Sequence, residues 1–428
     1  MNHNAAKGRD GLAERPSPAG DIVPASQGVS AGVGGEVARA AGRLLAIDGL
    51  RGLACLGVAV YHLTRYGATA EIAREGIPAA LAWVADHGWV GVQMFFVISG
   101  FVIAHTLRDA VVDGWYVGNY ALRRSLRLDP PYWVTIGLVL AMHAWFAGRP
   151  GWVSPLDIPT PLAPPLSWWL VASHLLYIHK LQGFDSLSAG FWTLTIEIQF
   201  YLLYVCALGV SQSLKVERGQ AHRLLLWLLL PLAPLSLWWL SPEPRGDSLV
   251  FHHFFLFFSG CLAGWAFDGL VSHRWLWGWQ AVLALTLVVE VVRAGAAWDW
   301  EAWFSNRALK LWAGVLTPLW IDWAGRTGRL ARPLPIPGLN AIGRISYSLY
   351  LVHFPVAILI TTLLEHSPWA PRTPRDCLCV LALSLLVGIG VAWGMYVAIE
   401  APSQRLAHWL KAWPGTLGES AASPAAGP

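Results

Sequence analysis

The chain has 428 residues, of which 55% are hydrophobic and only 13% are charged, and its mean hydropathy is +0.47. This composition excludes an ordinary soluble domain and indicates a protein with several membrane-spanning helices, whose first partner is the lipid bilayer. The formal net charge of +4 is modest, and we expect no nucleic-acid partner. The five cysteines lie in or beside apolar runs, which predicts neither a disulfide nor a metal site.

The N-terminal part of the chain is rich in Ala, Gly, Ser and Pro and lacks an apolar period, so residues 1–41 are predicted to form a disordered tail. About ten apolar stretches of spanning length follow, which predicts an all-α, polytopic membrane domain over residues 42–402. Residues 403–428 would form a short cytoplasmic tail. The predicted transmembrane helices lie approximately at residues 44–65, 89–107, 131–147, 191–210, 222–240, 250–267, 275–292, 308–324, 342–364 and 377–400.

The distribution of lysine and arginine predicts the orientation of these helices. Most basic residues fall in alternate connections, which we expect on the cytoplasmic side together with both termini. Arg51 would then lie nearer the cytoplasmic leaflet and His62 nearer the outer one. The connection over residues 148–190 is expected outside, where it could cap an opening, and residues 168–178 within it are predicted as a re-entrant or interfacial segment.

The first predicted span contains two ionisable residues, Arg51 and His62, in an otherwise apolar run. Eleven positions separate them, so on an α-helix both side chains share one face, about 16 Å apart along the axis. A charge inside a membrane helix is costly and usually faces the protein interior or a wet cavity, which favours a functional pair. The alternative is that Arg51 reaches the lipid headgroups and that His62 is a hydrogen-bonded core residue.

The second span and the connection after it carry further candidates. Ser99 and Gly100 provide a point where a backbone or a ligand could approach closely, or simply a helix crossing. Arg123, Arg124 and Arg127 follow that span, and Arg124 and Arg127 share a helical face. Guanidinium groups match phosphate oxygens, so this cluster suits an anionic donor such as coenzyme A. Arginines that flank a span also set topology and contact headgroups, which is the alternative interpretation.

Two later spans contain polar residues in apolar surroundings. Glu197 must pair, become protonated or line water, so it either pairs with Arg51 or orients His62, or it forms a structural hydrogen bond between helices. Tyr350 and His353 share a helical face and could line one cavity, although His353 is equally plausible as a core histidine.

Five motifs now stand in order: IDGLRGLA, FFVISGF, RRSLRLDPPYW, FWTLTIEIQFYLLY and ISYSLYLVHFPV. Together they resemble the acyltransferase-3 family of integral-membrane O-acyltransferases. The resemblance runs from about Leu44 to Pro402. The chain is similar to the stand-alone members of the family, which lack a C-terminal hydrolase-like domain. It implies a location in the bacterial cytoplasmic (inner) membrane.

The resemblance also implies an activity and a set of site residues. The activity is transfer of an acyl group, acetyl foremost, from cytoplasmic acyl-CoA to a hydroxyl of an envelope or exported glycan or glycolipid, without a metal. The implied catalytic residues are His62 as general base, Arg51 and Glu197. The residues expected to bind acyl-CoA are Ser99, Arg123, Arg124, Arg127 and Trp192.

Two alternatives accompany this interpretation. A covalent acyl-histidine relay is a variant of the same enzyme. A transporter of a lipid-linked sugar or small solute would use Arg51, His62 and Glu197 as a translocation path, although the span pattern shows no internal repeat. The sequence identifies neither the acceptor, nor the acyl chain length, nor the oligomeric state.

Overall fold

The structure is a computed structural model that describes residues 44–152, 166–214, 218–241, 248–293 and 300–412. The predicted tail over residues 1–41 and the part of the C-terminal tail after residue 412 lie outside the described residues. The described residues are helical or connect helices, without a strand, which confirms the all-α fold. The α-helices are α1 Leu45–Arg65, α2 Ala68–Glu75, α3 Ala79–Asp86, α4 Val90–Thr106, α5 Gly114–Phe146, α6 Trp168–Leu175, α7 Phe191–Ser213, α8 Arg218–Leu229, α9 Leu232–Leu235, α10 Phe254–Phe267, α11 His273–Arg293, α12 Trp300–Trp303, α13 Asn306–Arg326, α14 Leu339–Arg344, α15 Ser346–Glu365, α16 Pro374–Met395 and α17 Ala401–Ala412.

Each of the ten predicted spans overlaps one helix or a run of consecutive helices, and residues 342–364, for example, are divided between α14 and α15. Among the described residues, six helices are long and apolar enough to cross a membrane, and a seventh span is formed if α3 and α4, which are bent by 44°, count as one. The predicted count of ten is roughly consistent with this range. Helix α10 is also apolar but has only 14 residues, so it is not counted among the helices of spanning length. The 8-residue helix α6 is too short to cross a bilayer.

Helix α5 is much longer than the span predicted from residue 131. It has 33 residues and continues through Pro130 and Pro131. Proline removes a backbone donor and usually bends or ends a helix, but packed neighbours can satisfy the backbone nearby. The hydroxyl of Tyr347 donates to the carbonyl of Leu128 at 2.7 Å, next to the two prolines. The arginine cluster therefore lies on a helix and not in a connection.

Glycines bring α1 into backbone contact with two neighbours. A Cβ atom added at Gly343 of α14 would lie 1.7 Å from the carbonyl oxygen of Asp48, and one at Gly52 would lie 2.3 Å from that of Leu339. On the other side, a Cβ atom at Gly91 of α4 would lie 2.3 Å from the carbonyl oxygen of Ala54. Only glycine fits these crossings. Helix α1, with its arginine and histidine, is thus packed between α4 and α14.

Gly100 of α4 contacts backbone, as one of the two interpretations predicts. A Cβ atom there would lie 2.0 Å from the carbonyl oxygen of Phe257, and a Cβ atom at Gly260 would lie 1.9 Å from that of Val97. This reciprocal crossing joins α4 to α10. It fixes the position of α4, on which Ser99 faces the interior described below.

Candidate active site

The bundle contains two chambers that have charged side chains in their walls. One, here called the arginine chamber, is lined by Arg51, Arg124 and Arg127 and has a volume of about 100 Å³. The other, here called the histidine chamber, is lined by His62 and Trp192 and has a volume of about 620 Å³. Arg51 and His62 both face the protein interior, as their spacing on α1 predicts. They contribute to different chambers.

Four helices supply the charged lining of the arginine chamber, and its two carboxylates are Glu197 of α7 and Glu400. Glu197 accepts a hydrogen bond from the Ser99 hydroxyl at 2.7 Å and another from the Tyr201 hydroxyl. The Arg124 guanidinium lies 3.6 Å from the same carboxylate and 3.7 Å from the centroid of the Tyr201 ring. Glu197 is therefore hydrogen-bonded and ion-paired, and its ion pair is with Arg124.

Glu400 is a site residue that sequence reasoning missed. It ends a short π-helical turn, Tyr396–Glu400, and is only 3% exposed. Its carboxylate accepts hydrogen bonds from the backbone N–H and hydroxyl of Ser348, at 3.2 and 2.5 Å, and from the Gln404 amide at 2.9 Å. The acid stands at the last residue of the final predicted span, where a charge normally marks a helix end. The sequence signal was present but ambiguous.

Two of the residues expected to bind acyl-CoA lie away from the arginine chamber. Arg123 stacks over the ring of Tyr116 at 5.6 Å and is not among the residues that line the chamber. Trp192 lines the histidine chamber. The chamber thus brings together Ser99, Arg124 and Arg127 of that group, in agreement with the shared helical face of the two arginines.

Val92 and Tyr350 line both chambers and form the septum between them. The Tyr350 hydroxyl lies 2.9 Å from the Thr193 hydroxyl, which also donates to the carbonyl of Gly190. A Cβ atom at Gly190 would lie 2.8 Å from the Tyr350 ring, so this position must remain glycine to leave room for the tyrosine. The septum is held on one side by α4 and on the other by α15.

His62 is hydrogen-bonded to a second histidine. Its Nδ1 lies 2.8 Å from Nε2 of His353, and the planes of the two rings are inclined by 21° with centroids 5.1 Å apart. Nδ1 of His353 lies 3.0 Å from the carbonyl oxygen of Leu349. The edge of the Phe354 ring contacts His62 as well, at 5.5 Å between centroids. Tyr350 and His353 share a face of α15, as their spacing predicts.

Three buried polar atoms on the chamber walls have no hydrogen-bond partner among the described residues. They are Arg124 Nε and Ser346 Oγ in the arginine chamber and Gln93 Oε1 in the histidine chamber. A buried polar group without a partner costs about 1–3 kcal/mol. Such groups in a cavity are therefore available to a ligand in both chambers.

The connection between α6 and α7 forms part of the wall of the histidine chamber through Lys180, Asp185 and Ser186. A stack of two buried histidines, His174 and His179, holds this connection, with ring centroids 3.9 Å apart. Burial lowers the pKa of His174 to about 4 and that of His179 to about 2. Both rings are therefore neutral at pH 7.

A bundle of apolar helices with two adjoining chambers that are lined by charged side chains defines an integral membrane protein. A family profile described as an acyltransferase domain matches residues 44–397. The chain belongs to this acyltransferase family. All the site residues predicted from the sequence lie within the matched range.

The chain is also similar to several curated proteins. It is 27% identical over 343 residues to the peptidoglycan O-acetyltransferase OatA of Listeria monocytogenes, with 74% of this chain and 50% of the relative covered. It is 26% identical over 338 residues to the putative peptidoglycan O-acetyltransferase YrhL of Bacillus subtilis, with 74% and 49% covered. A putative O-acetyltransferase of Staphylococcus aureus is 26% identical over 337 residues, with 72% and 50% covered. The chain thus spans about half the length of these relatives. No solved structure matches it.

Proposed function

We propose that this protein is a membrane O-acyltransferase that transfers an acyl group, acetyl foremost, from cytoplasmic acyl-CoA to a hydroxyl of an envelope or exported glycan or glycolipid. One observation carries the proposal: three arginines line one chamber, His62 lines the other, and the two chambers meet at Val92 and Tyr350. The relatives named as O-acetyltransferases support the choice of acetyl. Donor and acceptor would enter from opposite chambers and meet at the septum.

The arginine chamber has the chemistry of a donor site. Its three arginines outnumber its two carboxylates, so it favours an anion. The unpartnered Nε of Arg124 can donate to a phosphate or to the thioester carbonyl, and the buried Ser346 hydroxyl adds a second polar contact. This chamber is the smaller of the two, so it suits the narrow acyl-thioester arm better than the bulky base. The acyl-thioester end would therefore occupy this chamber, while the nucleotide stays at its mouth.

The histidine chamber has the chemistry of a carbohydrate site. It is larger than the arginine chamber and combines indole rings with amide and charged groups. Sugars present apolar ring faces to aromatic side chains and hydroxyls to polar ones. Trp89 and Trp192 would supply the aromatic faces, and Gln93, Asn306 and Lys180 the polar contacts.

The proposed reaction is acyl transfer by general base catalysis. His62 removes the proton of the acceptor hydroxyl as its oxygen bonds to the thioester carbonyl carbon. The carbon–sulfur bond then breaks, and the CoA thiolate takes the proton from His62. Base catalysis contributes about 10²- to 10⁴-fold, and the juxtaposition of donor and acceptor supplies much of the rest. Arg51 would stabilise negative charge on the donor, and Glu197 would hold Arg124 in place.

The test uses the full chain in lipid nanodiscs with labelled acetyl-CoA. Muropeptides and N-acetylglucosamine oligosaccharides serve as acceptor probes. We expect His62→Ala to lower transfer by about 100-fold or more, because the base is lost. His366→Ala is the matched control, since this histidine lines neither chamber, and it should retain activity. Undiminished transfer by His62→Ala would remove the assigned base. Flux of a sugar without turnover of acetyl-CoA would support a transporter instead.

A further inference from the structure

We propose that His353 is a positioning residue that holds His62 in the tautomer with its proton on Nδ1, so that the lone pair on Nε2 is free for the acceptor hydroxyl. This inference deepens the proposed function and rests on it for its catalytic consequence. The tautomer itself is a property of the folded protein and does not depend on turnover.

The hydrogen-bond chain that ends at His62 begins at a backbone carbonyl of α15. The carbonyl oxygen of Leu349 can only accept, so Nδ1 of His353, at 3.0 Å, must carry a proton. In a neutral imidazole the other nitrogen then has a lone pair, and Nε2 of His353 is an acceptor. Nδ1 of His62, at 2.8 Å, must therefore donate to it. The proton on Nδ1 leaves Nε2 of His62 as the basic nitrogen.

The opposite direction of donation is disfavoured by burial. It would require a proton on both nitrogens of His353, and hence a charged ring in a side chain that is only 4% exposed. The carbonyl that accepts from His353 belongs to the backbone of α15, which holds it in place, and a carbonyl oxygen cannot donate. The chain from Leu349 through His353 to His62 thus has one stable polarity.

The same contacts have a second consequence when His62 takes up a proton. The imidazolium carries a proton on each nitrogen, and its Nδ1 continues to donate to His353 without rearrangement. The contact is retained as charge develops, so it stabilises the state in which the base has reacted. The Phe354 ring packs against His62 at an angle of 63° and restricts rotation of the imidazole. Nδ1 therefore stays the donor to His353, and Nε2 stays the basic nitrogen.

The test compares two substitutions of His353. His353→Leu keeps an apolar volume but removes the acceptor, whereas the amide oxygen of His353→Gln can accept from Nδ1 of His62. Nitrogen-15 NMR of the full chain in lipid, with labelled histidine, reads the tautomer of His62, and His62→Gln assigns its signals by their loss. Steady-state kinetics with acetyl-CoA and muropeptides separate kcat from KM.

We expect wild-type His62 to carry its proton on Nδ1 and His353→Leu to give a mixture of tautomers. The kcat of His353→Leu should fall about 10- to 100-fold with the KM for acetyl-CoA within about twofold, and His353→Gln should recover most of kcat. Wild-type His62 with its proton on Nε2 would overturn the inference, as would equal losses in both variants with an unchanged tautomer. If His62→Ala keeps its activity but the Nδ1 proton is found, the proposed base is wrong and the tautomer assignment stands.

Discussion

Two neighbouring arginines of α5 have different surroundings. Arg124 lines the arginine chamber, stacks on Tyr201 and pairs with Glu197. Arg123 points elsewhere and lies over the ring of Tyr116. Because the two arginines are adjacent on α5 and carry the same charge, substitutions of Arg123 serve as controls for substitutions of Arg124 in a test of the donor site.

Substitution of Arg124 by lysine should weaken donor binding although the charge is kept. Lysine lacks the planar fork that stacks on Tyr201 and can present two donors to one anion. We expect the KM for acetyl-CoA to rise about 10-fold in Arg124→Lys, equivalent to about 1.4 kcal/mol, and further in Arg124→Ala. Arg123→Ala is the control and should stay within about twofold of the wild type. An equal rise for both positions would indicate bulk electrostatics and not a donor site.

The ring of Tyr350 should control leakage between the chambers. Tyr350→Phe keeps the ring and loses only the contact with Thr193, whereas Tyr350→Ala removes the septum. We expect Tyr350→Ala to hydrolyse acetyl-CoA without an acceptor several-fold faster than the wild type, because water reaches the thioester. Tyr350→Phe should transfer acetyl groups at a near-normal rate. Hydrolysis that does not change in Tyr350→Ala would argue against a septum at this residue.

At this scale the sequence predicts individual side chains better than their partners. Arg51, His62 and Glu197 stand out because each is ionisable in an apolar run, and burial of such a group has a high cost. The contact between His62 and His353 spans 291 positions, and no local pattern predicts it. Glu400 was not predicted as a site residue, because it lies at the end of its predicted span, where a carboxylate commonly marks the end of a transmembrane helix.

Among the elements, the connection after α6 should respond to pH. His174 and His179 have a folded-state pKa of about 4 and about 2, below the ordinary value of 6.5, so the folded state binds fewer protons than the unfolded state at mildly acidic pH. Their contribution to stability is present above pH 6.5 and is lost as the pH falls. We expect residues 176–190 to lose amide protection between pH 7.5 and pH 5 in hydrogen exchange corrected for intrinsic rates.

His179→Phe is the control for this pH dependence. Phenylalanine can stack on His174 but cannot take up a proton, so the variant should lose less protection on acidification than the wild type. Equal protection of the wild type at both pH values would show that the stack does not govern the connection.

The crossing of α1 and α14 should not tolerate any side chain. A Cβ atom at Gly343 would lie 1.7 Å from a backbone oxygen, which cannot move without separating the helices. We expect Gly343→Ala to lower the apparent Tm by about 5 °C or more, or to prevent isolation of folded protein. Gly390→Ala in α16 meets nothing within 4 Å and should leave the Tm near that of the wild type. A similar Tm for both variants would contradict the close packing of α1.

The helices themselves follow from length and hydropathy, and each predicted span overlaps one helix or a run of consecutive helices. The length of α5 does not, because prolines such as Pro130 and Pro131 usually bend or end a helix, whereas α5 continues through both. The small residues of α1 and α4 indicate close approach but not the partner. Pairing of helices is therefore a property of the assembled bundle.

For the whole molecule, the arrangement of the chambers links the fold to the proposed reaction. Helix α1 is packed between α4 and α14, and over three turns it carries Arg51 to one chamber and His62 to the other. The septum at Val92 and Tyr350 separates an arginine-lined side from a larger side with indole rings. If the predicted orientation holds, with both termini in the cytoplasm, the arginine chamber faces the acyl-CoA pool and the histidine chamber faces the exported glycan.

The most direct test of this account is the position of a bound donor. Electron cryo-microscopy of the full chain in nanodiscs with a non-hydrolysable thioether of acetyl-CoA should show the phosphates near the arginine chamber and the acyl end beside Val92 and Tyr350. Density confined to the histidine chamber, or on the lipid-facing surface with both chambers empty, would contradict it.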